Sequence, residues 1–430
     1  MDLSKKISEG SAKIGIMGLG YVGLPLAVEF GNAGFKVTGI DVDRSKVVKI
    51  NKGVSYIGDV GSKELKALVR KGLVKATTDF SVLKNIDAVI ICVPTPLRKT
   101  RDPDMSYIIA SAEKIAKYQH KGQLIVLEST TYTGTCEEII LPILAEGGYE
   151  AGKDFFMAFS PERVDPGNKE YGTKDIPKVI GGLTKKCLKM AQALYGRVIV
   201  KIVPVSSIRV AEMVKLLENT FRAVNIGLVN EIAMMCDRMD IDVWEVIKGA
   251  ETKPFGFTPF YPGPGIGGHC LPIDPLYLSW KAKSFDFEAR FIELASQINS
   301  YMPYHIVNKL IEGLNKRGKC LKKSSILILG VAYKKNVGDT RESPAIDILR
   351  KIKEAGARVN YCDPFVPEIR LEKGPVKGKK VSRRLLENAD CVLILTNHDC
   401  FDYKLVVKHS KFIFDTRNTI KNSNNKILKL

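Results

Sequence analysis

Short runs of β-branched and aliphatic residues alternate with helical stretches along most of this chain, and few folds can satisfy that rhythm. The runs lie at 13–17, 35–41, 87–93, 123–130, 155–161, 178–182 and 198–203, with helical patterns between them at 23–33, 105–117 and 184–195. Most of the runs are almost continuously apolar, as parallel strands covered on both faces must be. Parallel neighbours need a crossover between them, so the rhythm predicts a doubly wound sheet with right-handed connections. Pro204, Ser206 and Ser207 break the pattern, and the serines can cap a long helix over 208–240. A loop dense in Gly and Pro (254–275) and a second long helical stretch (287–314) follow. The strand–helix rhythm then resumes at 324–333, 357–363, 391–396 and 411–416. The tail after Asn418 is polar and is expected to fray.

A chain of 430 residues exceeds one ordinary core. The net charge of +19 invites a nucleic-acid reading, but it is unevenly spread: residues 313–430 hold 26 Lys and Arg against 12 Asp and Glu. No exposed aromatic interleaving or recognition module accompanies that charge, so nucleic acid is not the expected partner. No stretch approaches the ~20 apolar residues of a membrane span. The opening MDLSKKISEGSAK lacks the apolar core of a secretory signal. Nine cysteines without a CxxC spacing point to reduced thiols in a cytoplasmic protein, and five histidines without HxxH spacing give no reason to expect a metal.

Gly18-Leu19-Gly20-Tyr21-Val22-Gly23 follows the first run and opens a helical stretch. In such a GxGxxG turn the first glycine permits the tight bend and the second lets the backbone approach a pyrophosphate. The third lets helix and strand pack closely. Free N–H groups at the helix start favour the phosphates. Asp41 closes the second run, 18 residues beyond Gly23, where an acid accepts bonds from ribose hydroxyls and repels a 2′-phosphate. The cofactor expected is therefore NAD. Arg44 could stack on adenine, contact a phosphate or stay solvated.

Gly263-Pro264-Gly265-Ile266-Gly267-Gly268-His269-Cys270-Leu271-Pro272-Ile273-Asp274 is the most unusual run in the chain. So many glycines mark backbone conformations closed to other residues, often where a ligand comes close. A helix beginning near Cys270 would stabilise its thiolate, of which only about 3% exists at pH 7 for an ordinary thiol of pKa about 8.5. His269 is adjacent, but neighbours in extended chain point to opposite faces, so it reads as structural. The other cysteines read as small buried hydrophobes. Lys215 and Asn219 fall one turn apart on the long helix. They are either a solvated edge or a cation and an amide aimed at an oxyanion or water.

Together these residues resemble the nucleotide-sugar 6-dehydrogenase family. The matching pieces are MGLGYVGLP (17–25), CVPTPL (92–97), LESTT (127–131), SPERVDPGN (160–168), KLLENTFRAVN, FYPGPGIGGHCLPIDP (260–275), GVAYKKNVGDTRESPA (330–345) and FDTRN (414–418). The resemblance implies two Rossmann-like domains joined by a long central helix and helical segment. These are an NAD domain (1–205), a central dimerising part with the cysteine loop (206–314) and a UDP-sugar domain (315–430). It also implies a four-electron oxidation of a primary alcohol to a carboxylate with two NAD, in a homodimer or larger homo-oligomer. Met234, Met235 and Cys236 suit such an interface or packing within one subunit.

Carried over residue by residue, Cys270 is the nucleophile that holds the aldehyde as a thiohemiacetal and then a thioester. Lys215 offsets oxyanion charge, Asn219 and Asp274 hold water and relay protons, and Glu162 is the base for hydrolysis with Thr130 nearby. Pro94, Thr95, Thr130 and Arg341 are implied near the cofactor. Phe260, Tyr261, Gly265, Lys334 and Arg417 are implied near the substrate. Arg163 contacts substrate or pairs with a surface acid. One departure stands out: Thr133 occupies a place where proline is expected, which puts the rigidity of that loop in question. CVPTPLRKTRDPD, ESTTYTGT and SPERVDPGN are most similar to the UDP-N-acetylglucosamine branch. UDP-N-acetylmannosamine differs at one stereocentre that no sequence motif reads, and UDP-glucose is a third candidate.

Overall fold

Apolar runs that read as strands fold as strands, and they fall into two sheets in two compact units. The computed structural model describes residues 2–98, 100, 102–164, 170–372, 374–421 and 424–430. Residues 165–168 of the SPERVDPGN run, and Lys99 and Arg101 of CVPTPLRKTRDPD, lie outside the described residues. One unit is Met1–Glu218 with Trp280–Phe285, and the other Asn219–Ser279 with Asp286–Leu430.

The first unit holds β1 (Lys13–Met17), β2 (Lys36–Ile40), β3 (Val74–Thr77), β4 (Ala88–Ile91), β5 (Leu124–Leu127), β6 (Phe156–Phe159), β7 (Lys178–Gly182) and β8 (Ile202–Val205). They lie in one sheet in the order β3-β2-β1-β4-β5-β6-β7-β8. The chain reverses its winding between β1 and β4, the place where open α/β sheets bind ligands. All neighbours are parallel except β6 and β7. The connection between those two carries no helix among its described residues, so the chain returns antiparallel rather than crossing over. β3 alternates buried and exposed residues and is too short to stand out in the sequence. The last strand is shifted from the expected 198–203 and runs through Pro204 to Val205. Proline is tolerated because β8 is the sheet edge.

The second unit holds β9 (Ser325–Leu329), β10 (Arg358–Cys362), β11 (Glu368–Leu371), β12 (Gly374–Lys377), β13 (Cys391–Ile394), β14 (Ile413–Asp415) and β15 (Ile427–Lys429). Five of these form a parallel sheet in the order β10-β9-β13-β14-β15, and β11–β12 is a separate antiparallel pair. Apolar clusters cover both faces of the sheet, one of them built on the helix Arg290–Asn315 and the helix Pro344–Glu354.

The long helix spans Ile208–Arg238. Within it Cys236 is buried and Met234 packs on the core of the second unit, while Met235 is exposed. The tail does not fray as expected. Ile427–Lys429 pairs with β14, Leu428 packs on the core, and the Trp244 indole N–H donates to the Leu430 carbonyl at 3.1 Å. A polar stretch preceding a three-residue strand concealed this from the sequence. Removing residues 426–430 is expected to cost about 2–4 kcal/mol, from the apolar area returned to water. It should also expose the Ile413 amide, which donates to the Lys426 carbonyl. Hydrogen exchange at Ile413 and the thermal midpoint check this, and unchanged values would restore the frayed-tail reading.

Candidate active site

In the first unit the glycine turn sits at the carboxyl end of β1. Gly18 has φ +89°, and a Cβ there would lie 2.6 Å from the Cys92 carbonyl oxygen. A Cβ on Gly23 would run into the Gly18 carbonyl, so the helix Gly23–Asn32 can approach β1 only with glycine there. A Cβ on Gly20 would meet nothing within 4 Å. Packing therefore does not demand a glycine at this half-buried position, as it does at Gly18 and Gly23. Val22 is the N-cap of that helix and Tyr21 is exposed. Asp41 is buried at the end of β2; its Oδ2 accepts the Leu19 N–H at 2.8 Å and its Oδ1 the Asp43 N–H at 2.9 Å. Lys46 stands 3.3 Å from Oδ2, and Arg44 is exposed at the start of the next helix. A turn with an open second glycine and a rigidly held acid fits a dinucleotide.

The loops after β4 and β5 are tied together beside it. The Thr95 hydroxyl donates to the Thr130 carbonyl at 2.7 Å, and Ser129 Oγ to the Val93 carbonyl at 2.8 Å, while Pro94 is exposed. The loop carrying Thr133 is held despite the missing proline. Buried Glu212 accepts the N–H groups of Gly134 at 2.6 Å and Cys136 at 3.1 Å. Burial pushes the Glu212 carboxyl up to about 7 against the pull of those N–H groups.

Glu162 follows β6. Its Oε1 accepts the N–H groups of Arg163 and Val164, each at 2.7 Å, and its Oε2 lies 3.3 Å from Lys178 Nζ. Burial alone would raise its pKa. Lys178, the two N–H groups and the charge of Lys215 outweigh this and hold it below the ordinary carboxylate value. Lys215 is buried on the long helix. The Arg163 guanidinium is engaged by Glu218 at 2.5 and 3.2 Å and by the Pro177 carbonyl, so it pairs with an acid, one of its two expected alternatives.

Sequence reasoning missed the group beneath Glu162. Lys178 also reaches Glu128 Oε2 at 3.1 Å, and the Tyr195 hydroxyl donates to Glu128 Oε1. A lysine opening an otherwise apolar strand, and a glutamate closing another, were the available signals.

In the second unit the Asn219 amide donates to Asp274 Oδ2 at 2.5 Å, and both residues are buried. The regular helix begins at Asp274, four residues later than expected. Cys270 nevertheless opens its first turn, because its carbonyl accepts the N–H groups of Ile273 at 3.1 Å and Asp274 at 2.8 Å. Cys270 is exposed, which excludes the buried-hydrophobe alternative. Burial, and then the charge of Arg341, lower the His269 pKa.

The glycines around Cys270 serve close packing. A Cβ on Gly267 or Gly268 would lie 2.7 or 2.8 Å from Tyr333, and one on Gly263 would lie 2.5 Å from the Arg417 guanidinium. Gly265 has φ +125°. Asn230 and Asn299, not singled out in the sequence, hold this loop. Asn230 Oδ1 accepts the Gly263 N–H at 2.9 Å, and its amide donates to Asn299 at 2.9 Å.

Arg417 is anchored by its Nε to the Leu395 carbonyl at 2.8 Å, and burial pushes it down to about 10. Phe260 packs edge-on against Phe221, whereas Tyr261 turns to Trp244 and Glu251. Lys334 is half-buried after β9. Arg341 pairs with Asp339 at 2.6 Å, and its carbonyl accepts the Gly268 N–H at 3.0 Å. Asp363, at the end of β10, repeats the role of Asp41. Its Oδ2 accepts the N–H groups of Val331 and Ala332, but buried His398 also lies 3.1 Å from that oxygen.

Among the described residues no cluster of metal-ligating side chains occurs, and no helix is long and apolar enough to cross a membrane.

One unit thus holds a glycine turn that fits a dinucleotide, and the other a glycine-packed cysteine with an Asn–Asp pair. The chain belongs to the UDP-glucose/GDP-mannose dehydrogenase family: its NAD binding domain matches residues 12–199, its central domain 209–301 and its UDP binding domain 327–422. It is therefore an NAD-dependent UDP-sugar dehydrogenase. It is 36% identical to the UDP-N-acetyl-D-glucosamine 6-dehydrogenase of Pseudomonas aeruginosa over 82% of this chain and 83% of that protein. Identity is also 36% to the UDP-N-acetyl-D-mannosamine dehydrogenase of Pyrococcus horikoshii, over 95% and 96%. The solved structure of the UDP-D-ManNAc dehydrogenase from Pyrococcus horikoshii superposes with a TM-score of 0.88 at 34% identity, covering 97% and 98%.

The Asp41 bonds lead to a direct expectation. Asp41→Ala should weaken NAD binding about tenfold or more, since two charge-assisted backbone bonds and the ribose acceptor go together. The parent should bind NAD more tightly than NADP. Fluorescence titration with both nucleotides reads this out, and tighter NADP binding would defeat it.

Proposed function

We propose that this enzyme oxidises C6 of a UDP-N-acetylhexosamine, first of all UDP-N-acetylglucosamine, to the uronic acid. The Asn219–Asp274 bond beside an exposed Cys270 carries the reading, because this is machinery for holding water and moving protons next to a nucleophile. Bound NAD supplies the hydride acceptor for each of two oxidations. Gly18, Gly20, Tyr21, Val22, Gly23 and Asp41 would hold it, with Arg44, Pro94, Thr95 and Thr130 around it. Lys334, Arg417, Phe260 and Gly265 would bind the UDP-sugar. Arg417, Tyr261, Arg163 and Arg341 also bond within the protein and would be shared.

Cys270 Sγ bonds to the C6 aldehyde left by the first oxidation, and its proton goes to the new hydroxyl. Loss of the second hydride from that tetrahedral carbon, with its hydroxyl proton passing to the water held by Asn219 and Asp274, leaves a thioester. Lys215 offsets the oxyanion charge in each tetrahedral state, as a buried cation can in a low dielectric. Water held by Asn219 and Asp274 gives its proton to Glu162, its oxygen bonds to the acyl carbon, and the C–S bond breaks to return the thiolate.

The division 1–205, 206–314 and 315–430 separates these tasks. Exposed Val210, Met213, Leu217, Phe221, Leu228 and Met235 on the long helix support a homodimer. Nine free cysteines and a nicotinamide cofactor fit the cytoplasm. The close likeness to the UDP-D-ManNAc enzyme structure favours UDP-N-acetylmannosamine as the second reading. Each of the three UDP-sugars should be assayed for NADH and uronate. Two NADH per uronate from UDP-N-acetylglucosamine is the expected result, and turnover of UDP-glucose alone would overturn the assignment. Cys270→Ser should abolish uronate while NAD still binds; full turnover in that variant would refute the covalent route.

A further inference from the structure

Lys178 is buried with its ammonium between two carboxylates, 3.1 Å from Glu128 and 3.3 Å from Glu162, and its charge lies 5.2 Å from the centre of the Tyr195 ring. Burying an ammonium is costly unless it is paired, and removing one partner leaves an uncompensated charge. Structural need alone would be met by Glu128, which is itself fully buried and bonded to Tyr195. The second contact, to Glu162, is the informative one. Glu162 has its Oε1 filled by two N–H groups and its Oε2 fixed by Lys178. A carboxylate offers about four acceptor directions, so one direction on Oε2 remains for water.

From this geometry we propose that Lys178 is the positioning residue for the hydrolytic base, holding the Glu162 carboxylate in one orientation with Oε2 as the oxygen that takes the water's proton. The proposal rests on the role given to Glu162 above. In that step water passes a proton to Glu162 Oε2, its oxygen bonds to the thioester carbon, and the Cys270 sulfur departs. Lys178 itself neither gains nor loses a proton.

The groups facing this cluster are Glu128 from β5, Tyr195 from the helix Lys185–Tyr195, Cys92 after β4 and Lys215 from the long helix. Burial raises the Glu128 pKa, whereas Lys178, the two N–H groups and Lys215 outweigh burial at Glu162 and lower it. Replacing Lys178 by a neutral residue leaves burial as the dominant effect on Glu162 and raises its pKa. The base form then becomes scarcer toward low pH and is regained as pH rises.

The experiment compares Lys178→Met, Lys178→Arg and Glu162→Gln in the full chain. NAD binding serves as the check on folding, and uronate release and the acyl adduct on Cys270 are followed by mass spectrometry from pH 6 to 9.5. Lys178→Met should slow uronate release at pH 7 by about tenfold or more, accumulate the adduct, and recover toward the parent rate at alkaline pH. Lys178→Arg, which keeps the cation, should retain the parent's own profile. Glu162→Gln should stall with the adduct at every pH. A Lys178→Met profile identical to the parent's, or one equally depressed at pH 7 and 9.5, overturns the proposal while leaving the Glu162 reading intact. Parent-rate release by Glu162→Gln overturns both.

Discussion

Backbone N–H groups at the carboxyl ends of parallel strands need acceptors, and this protein supplies an acid from the next strand in each of its two sheets. Asp41 takes the Leu19 N–H after β1, and Asp363 takes those of Val331 and Ala332 after β9. Each acid locks a glycine turn whose conformation would otherwise be one of many. The two turns then diverge. Around Asp41 the backbone of Gly20 stays open to a ligand, whereas around Asp363 the buried His398 ring occupies a place beside the carboxylate. The same acid-to-turn brace thus leaves a glycine without packing demands in the first sheet and is closed off by an imidazole in the second. That brace steadies the loop leading to Lys334.

The glycine turn, the cysteine loop and most strands could be read from the sequence because each imposes a local chemical demand. Gly18, Gly23, Gly267 and Gly268 are needed where any Cβ would strike backbone or a ring, and such a demand fixes the residue at its own position. Lys178 was not legible for the opposite reason. Its meaning comes from Glu128, Glu162 and Tyr195, which sit on other elements and meet it only in the folded sheet. The antiparallel β6–β7 pair was hidden likewise, since an apolar strand carries no mark of its direction. Thr133 illustrates a third case: the stiffness that proline would have given comes from Glu212, far along the chain.

Charge follows the same division. Most of the surplus lysine and arginine in residues 313–430 is spread over the surface, where isolated pairs add little stability. Arg417 is different because burial already works against its charge, and its guanidinium rests against Gly263 and the Leu395 carbonyl. An anionic ligand would relieve that penalty, while a surface lysine has no penalty to relieve. The net charge of the chain therefore says little about what it binds, and a single desolvated guanidinium says much more.

The exposed thiol of Cys270 needs a comparable argument. A nucleophile on a mobile loop would lose the orientation that makes a bound reaction fast. Here the loop is pinned at several points by unlike means: Gly263 to Asn230, Gly268 to the Arg341 carbonyl, and the Cys270 carbonyl to the first turn of its helix. Each anchor uses backbone atoms, so none of them consumes a side chain that the chemistry requires. Glycine density, usually a sign of flexibility, here allows the backbone to approach Tyr333 and Arg417 closely enough to be held. Rigidity in this loop comes from contact rather than from side-chain bulk.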